Sequence, residues 1–409
     1  MSEKLRIGIC GCGRFVRNFI PLFQAHPYVA SVALTDLLPE RTQAHAKEFG
    51  ITETYASYED MLKSKTINAV AIFAQRHLHG PLTIAALKAG KHVYSAVPVA
   101  STIEEIAEIE RLVRQTGLTF SMGETGHYRP CSVFCRQKLK SGEMGDFVYG
   151  ESQYNHDMRH FDYKYSGGEN WKQVAGVPPM LYPTHSTGMI LSSTGSYAVK
   201  VAAFGYIDQV GDDIFGRGKN LWDNPLSNTT ALLYLKNGGI ARINENRRIG
   251  WYGPMSYIPC FNGTKASYEF SVFQHTYVRL DGQAAVYEDV SPLLNPPEME
   301  AHRGLDDFGQ GVVSNKWCNT FAPVQNTARL PESYIGLHDG HGGTHKYMAD
   351  DFCKAAYTGK LSPTNIWVAA RYNIPGLVAH QAALRGGDTL PVPDLGDPPA
   401  GQEVLESDS

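Results

Sequence analysis

The chain reads as an α/β protein, with an N-terminal Rossmann domain followed by a second α/β domain built on a large, open, mainly antiparallel sheet. Three observations predict it. Between Leu5 and Met122, short apolar runs of β-type residues alternate with helical stretches, the pattern of a parallel sheet with crossover helices. After Gly126 the runs alternate apolar with polar residues, as strands covered on one face do. The 409 residues are too many for one ordinary core and enough for two.

Taken in order, the strands of the first zone are expected at 6–10, 29–34, 68–73, 92–94 and 118–121. The helix from about Thr102 carries a capping-box signal, because Ser101 and Thr102 each have a glutamate three residues on. In the second zone a helix at 130–140 and a turn at 141–145 precede strands at 147–154, 229–235 and 240–244. The Gly/Pro-rich stretch 166–183 is too long for a plain connection, and such segments in compact domains often carry function. Helical patterns resume at 345–357 and 365–384, and the Pro, Gly and acidic residues after Gly386 read as an extended or frayed tail. The expected division is 1–126, 127–386 and a tail at 387–409.

Composition narrows the function. With 37 basic and 41 acidic side chains dispersed along the chain, the net charge of −4 leaves no basic stripe for a nucleic acid. No apolar run reaches membrane length, so neither nucleic acid nor membrane is an expected partner, and a small molecule is. Seven cysteines without a Cys-x-x-Cys pair argue against a disulfide framework or zinc ribbon. The opening Met-Ser-Glu-Lys-Leu-Arg leads into a strand rather than a signal-peptide core, so a cytoplasmic protein is expected. The 22 Tyr and 15 His supply amphipathic rings and near-neutral proton donors, many of them within 154–165, 182–185 and 334–347.

The first strand runs into Gly11-Cys12-Gly13-Arg14-Phe15-Val16. One glycine permits a tight turn, the next lets backbone approach a pyrophosphate, and the following helix supplies free N–H groups. Val16 occupies the third glycine position, so the fingerprint is incomplete. Asp36, 25 residues after Gly11, stands where an acid accepts the adenosine ribose hydroxyls and repels a 2′-phosphate, favouring NAD over NADP. The bland alternatives are an ordinary strand-to-helix turn and a solvated cap. Ala74, Gln75 and His79, after the strand at 68–73, are expected beside the cofactor, although His79 also suits an ordinary helix start.

With Gly-Cys-Gly-Arg, Asp36, Leu78-His79, Gly90-Lys91-His92-Val93, Pro98 and the turn 141–145 in order, the chain resembles the glucose–fructose oxidoreductase/inositol dehydrogenase (Gfo/Idh/MocA) family. The resemblance is close over the N-terminal half and looser beyond. It implies NAD as cofactor, with Arg14, Phe15, Ala96, Val97, Pro98 and Glu124 joining the glycines and Asp36 at the site. It also implies a sugar-like substrate between the domains and a sheet that forms dimer or tetramer contacts. Two departures stand out: the family usually has Glu-Lys-Pro where this chain has Ala96-Val97-Pro98, and an aspartate four residues before its acid/base histidine where this chain has Leu181 before His185. The string Tyr182-Pro183-Thr184-His185 is similar to a segment of the family's NAD-dependent glycosidases, in which transient oxidation of the sugar at C3 permits elimination and water addition.

Removing hydride from a secondary alcohol requires removing its hydroxyl proton too, work suited to a group titrating near neutrality. His185 is the expected acid/base, against the alternative of a satisfied core histidine, and Tyr182 its relay or a packing ring. Lys172 either restores the cation missing at Val97 or is a surface lysine. Trp171 offers a ring for sugar stacking. Tyr128, at the last Rossmann strand's exit with Thr125 and His127, and His156, Asp157, Glu245, Arg247 and His345 are further expected substrate residues. His338, His341 and His345 with Asp339 have zinc-like spacing, but a nicotinamide mechanism needs no metal and none is expected. The resulting expectation is an NAD-dependent oxidoreductase acting on a ring hydroxyl of a sugar or glycoside. Its alternatives are an NAD-dependent glycosidase and a non-catalytic NAD-binding regulator.

Overall fold

The computed structural model describes residues 3–157, 168–250, 257–271, 274–282, 284–296, 321–337 and 340–407. Six strands, β1 Leu5–Cys10, β2 Val29–Thr35, β3 Glu53–Thr54, β4 Ala69–Ile72, β5 His92–Ser95 and β6 Phe120–Met122, make a sheet in the order β3-β2-β1-β4-β5-β6. All its pairs are parallel. Five of the strands come from the apolar runs. The two-residue β3 has no such run to announce it.

Strand order reverses between β1 and β4, which opens a crevice at their carboxyl ends, the place where doubly wound sheets bind dinucleotides. One face of the sheet packs Ile7, Ile9 and Leu34 against Phe19, Phe23 and Phe352. The other packs Val70, Ile72 and Val93 against Ile106, Ile109 and Leu112. Ile106, Ile109 and Leu112 belong to the helix Ile103–Thr116, whose cap is Thr102: its hydroxyl accepts the Glu105 N–H (3.2 Å), and Glu105 Oε2 reaches back to the Ser101 N–H (3.2 Å). Phe352 belongs to the helix Thr344–Thr358, so a segment expected to serve the second domain returns to cover the first sheet.

The second sheet contains β7 Phe147–Asn155, β8 Ala198–Ile207, β9 Leu226–Leu235, β10 Ile240–Asn246, β11 Tyr257–Gly263, β12 Ala266–Ser271, β13 Gln274–Asp281, β14 Ala284–Asp289 and β15 Leu390–Pro391. Their order is β14-β13-β12-β11-β7-β10-β9-β8-β15. It is antiparallel except at its centre, where β10 runs parallel to β7. The long excursion between them, which includes the helix Thr184–Thr194, β8 and β9, provides the crossover that parallel neighbours need. In β9, Ala231, Leu233 and Leu235 point to the core while Leu232 and Tyr234 stand outside with Ile240 of β10. The tail is extended but not frayed. β15 joins the sheet edge beside β8, and Leu361 exchanges backbone bonds with Glu403 and Leu405 (both 2.8 Å).

Candidate active site

The glycine turn after β1 is built for close approach. Gly11 has φ +100°, and a Cβ there would stand 2.6 Å from the Phe73 carbonyl oxygen, so only glycine fits. A Cβ on Gly13 would meet nothing within 4 Å, which leaves that face of the turn open. Arg14 starts the tight turn Phe15–Asn18 with no side-chain cap. Asp36, just past β2, accepts the Cys12 N–H on Oδ2 (2.6 Å) and the Leu38 N–H on Oδ1 (2.8 Å). The carboxylate thus fixes the turn against β2, and each oxygen keeps a lone pair for a ribose hydroxyl. Open glycine face, uncapped N–H groups and strand-end carboxylate together fit a dinucleotide.

Ala74, Gln75, Ala96 and Val97 follow β4 and β5 at the same edge of the sheet, and Val97–Pro98 is a cis peptide. His79 sits behind this edge rather than in it. Its ring nitrogens lie 2.8 Å from the Pro98 carbonyl oxygen and 3.0 Å from that of Ala74, and burial holds the imidazole below its ordinary value. It braces two crevice segments against each other.

Glu124, expected among the cofactor residues, has a different partner. Its Oε1 accepts the Gly126 N–H (2.6 Å) and lies 2.8 Å from His185 Nδ1. Burial alone would raise this carboxyl, yet the His185 imidazole and the Gly126 N–H hold it below the usual carboxylate range. An ionised carboxylate only accepts, so His185 Nδ1 carries the hydrogen and Nε2 is the basic nitrogen. The Tyr182 hydroxyl stands 3.1 Å from Nε2 and donates to it. His185 is 5% exposed and Tyr182 only partly buried, so Tyr182 is the more accessible of the two.

Tyr182 stands three residues before His185, a spacing that would put the two on one face if the turn were helical. Tyr182 instead has φ −127° and ψ 56°, between the short turn Pro179–Leu181 and the helix Thr184–Thr194, and reaches the imidazole from an extended bend. The rings of Tyr154, Tyr182 and Tyr257 surround His185 at centroid distances of 4.7, 5.0 and 5.3 Å. Arg76 lies 4.5 Å over the Tyr182 ring, and burial pushes that phenol up against the pull of this guanidinium.

Glu245 and Arg247, from the end of β10, belong to the same cluster. Glu245 accepts the Ser186 hydroxyl (2.6 Å) and Arg247 Nη2 (2.9 Å), and burial pushes its carboxyl up to about 7. The His156 Nδ1 meets the Tyr154 hydroxyl at 2.8 Å. His345 Nε2 lies 2.9 Å from His341 Nδ1, and its ring packs at 5.2 Å from Phe15 on the glycine turn. His338 and Asp339 lie outside the described residues, as do 158–167.

Three expected site residues are engaged elsewhere. Lys172 is exposed and donates to the Asp212 carbonyl (3.0 Å), which commits it to the β8–β9 connection rather than to the place left by Val97. The Tyr128 hydroxyl is taken by Asp351 (2.7 Å), itself paired with Arg329, in a buried network at the helix Thr344–Thr358. Asp157 accepts the Ile249 and Gly250 N–H groups (3.2 and 3.0 Å) and holds the chain after β10. Trp171 is half-buried beside Lys172. Sequence reasoning missed Tyr257 and Arg129, whose guanidinium lies 3.7 Å over the Tyr257 ring. Only the Pro130 that begins the next helix marks the place of Arg129.

A dinucleotide crevice at the β1–β4 switch, joined to a second domain that brings a carboxylate–histidine–tyrosine chain beside it, defines a two-domain NAD-dependent enzyme of the oxidoreductase class. Residues 5–124 match the family described as "Oxidoreductase family, NAD-binding Rossmann fold", and the N-terminal domain is that of the Gfo/Idh/MocA oxidoreductases. A glycosyl hydrolase family 109 protein of Streptomyces filamentosus is 23% identical over 96% of this chain and 78% of its own length. Trans-1,2-dihydrobenzene-1,2-diol dehydrogenase of Mus musculus is 26% identical over 51% of this chain and 62% of its own. Among solved structures, levoglucosan dehydrogenase in complex with NADH and L-sorbose shares the fold with a TM-score of 0.70 at 18% identity, covering 96% of this chain and 100% of that one.

Proposed function

We propose that the chain oxidises a ring hydroxyl, at C3, of a sugar or glycoside, with His185 as the acid/base. When bound, NAD supplies the acceptor for the hydride that leaves the ring carbon. The departing hydroxyl proton goes to the Tyr182 oxygen as the phenol passes its own proton to His185 Nε2. Glu124 then stabilises the imidazolium so formed. Gly11, Gly13, Arg14, Phe15, Asp36, Ala74, Gln75 and Val97 hold the cofactor, while Trp171, His156, Glu245 and Arg247 face the sugar. The continuous Glu124–His185–Tyr182 chain carries this reading: it supplies a relay although the lysine at position 97 and the aspartate at position 181 are both missing.

The second reading is redox-neutral glycoside hydrolysis at the same site, favoured by the Tyr-Pro-Thr-His string and by a family 109 relative spanning 96% of the chain. One incubation with a glycoside panel separates the two, following absorbance of reduced nicotinamide alongside free sugar. Keto product with stoichiometric reduced NAD and no cleavage supports oxidation, and cleavage without net reduction supports hydrolysis. Neither signal from any sugar sinks both.

Within the same reading the protein is a cytoplasmic homo-oligomer, dimer or tetramer. The support is free thiols at every described cysteine and the apolar outer face at Leu232, Tyr234 and Ile240. A monomeric mass in light scattering would remove the oligomer from it.

A further inference from the structure

Two arginines at the His185 cluster have donors with nothing to bond. Arg247 is 4% exposed and lies over the rings of Tyr154 (4.9 Å) and Tyr182 (5.6 Å). Its Nη2 serves Glu245, but its Nη1 is enclosed without a partner. Arg129 lies 3.7 Å over Tyr257, and both its Nε and Nη2 are enclosed and unpartnered. Among the described residues no carboxylate pairs with Arg129. The rings beneath the two guanidinium groups are neighbours, with the Tyr154 and Tyr257 centroids 4.9 Å apart and both against His185.

An enclosed charged donor without an acceptor is costly, and the cost is recovered when a ligand supplies one. The atoms left open on Arg129 say which kind. Nε and Nη2 are the two donors of one edge of the guanidinium, and elsewhere in this protein that edge takes carboxylates. Arg111 presents it to Glu108 (2.7 and 2.8 Å) and Arg371 to Asp394 (2.8 and 2.9 Å). A planar carboxylate fills such a fork with two parallel bonds, which a single sugar hydroxyl cannot do. Of the two carboxylates of the cluster, Glu124 is engaged through Oε1 by His185 and Gly126, with its enclosed Oε2 unbonded and making no ion pair with Arg129, and Glu245 is engaged by Ser186 and Arg247.

Resting on the proposed function, we propose that the sugar taken by this site carries a carboxylate, a uronic acid or its glycoside, and that Arg129 binds this group through its Nε/Nη2 edge while Arg247 Nη1 donates from the neighbouring ring. Arg129 thereby determines specificity for the acid over its neutral counterpart.

The test compares glucuronate and galacturonate with their methyl esters, which keep every ring hydroxyl and lose the charge. Binding to the NAD-loaded protein is read by calorimetry, independently of turnover. One of the acids is expected to bind at least about tenfold more tightly than its ester. That preference shrinks when salt rises from about 0.05 to 0.5 M. In Arg129→Gln the acid-to-ester ratio collapses towards one, and Arg129→Lys keeps part of it because a point charge remains without the fork. Should Arg129→Gln fold poorly, the ratio and its salt dependence in the unaltered protein decide alone. Equal affinity for acid and ester overturns the proposal, as does a preference that survives Arg129→Gln. It is likewise overturned if Arg129→Gln weakens NAD more than the uronate, since the arginine then serves the cofactor. Neutral sugars that reduce NAD while uronates do not would leave the proposed function standing and remove only this inference. A uronate that binds with the expected preference yet neither reduces NAD nor is cleaved would do the reverse.

Discussion

Glu124 Oε1 sits 2.8 Å from His185 Nδ1, although the two residues are 61 positions apart, one just beyond β6 and the other opening a helix of the second domain. The pair fixes the imidazole tautomer and leaves Nε2 to work as a base. In Glu124→Gln an amide oxygen can still accept from Gly126 and His185, but the negative charge that stabilises an imidazolium is gone. We expect kcat to fall about 10²-fold with little change in NAD affinity. The opposite split, weakened NAD and intact kcat, would return Glu124 to the cofactor role that the sequence assigned it.

Tyr182 and His185 should behave as one unit. Tyr182→Phe removes the phenol of the proposed relay and leaves His185 Nε2 without its hydrogen-bond donor, for an expected loss of about 10²-fold in kcat. His185→Ala should cost at least as much. The double variant should be little worse than His185→Ala, because residues that act in series are not additive. Additive losses in steady-state kinetics would mean that the two act independently.

Much of this was legible in the chain, for identifiable reasons. Strands β1, β2, β4, β5 and β6 were announced by apolar runs, and the helix at 130–140 forms over Pro130–Lys140. Gly11 and Asp36 come together as the sequence order implies, with the helix and β2 between them returning Asp36 to the turn, where it accepts the Cys12 N–H. The acid partner of His185 was not legible, because the sequence directs attention to position 181, four residues upstream. There Leu181 is buried in the core, and the carboxylate arrives from another domain. Tyr128 shows the same limit: the sequence places the residue after β6, and a tertiary contact with Asp351 decides where its hydroxyl points. Sequence order shows which element a residue is on, and only packing shows which groups meet.

The two glycines of the turn should separate folding from binding. Gly11→Ala forces a Cβ to 2.6 Å from the Phe73 carbonyl oxygen at a φ of +100°, so it should lower stability by roughly 1–3 kcal/mol and lose NAD together. Gly13→Ala meets nothing within 4 Å in the protein, so its melting temperature should stay within a degree or two of the parent. Only its affinity for NAD should drop, because the methyl takes the space a pyrophosphate would use. A Gly13→Ala protein that binds NAD normally would show that the open face is not where the cofactor lies.

Acid stability has a definite sign at His275. Its ring accepts from the Tyr268 hydroxyl at Nδ1 (2.6 Å), donates from Nε2 to Asn295 Oδ1 (2.9 Å), and stacks on Phe270 at 4.3 Å. This arrangement suits the neutral imidazole, and burial pushes its pKa down to about 4. An unfolded histidine titrates near 6.5, so between those values the unfolded chain binds more protons than the folded one. Stability is therefore full above pH 6.5 and drains away as pH falls towards 4, by an amount on the order of 3 kcal/mol from this site. His275→Phe fills the same stack without titrating. It should be less stable than the parent at pH 7.5, because Tyr268 and Asn295 lose their partner, and the gap should narrow steadily down to pH 4.5. Thermal unfolding of both proteins across that range reads the difference directly, and parallel curves would show that His275 does not carry the acid sensitivity.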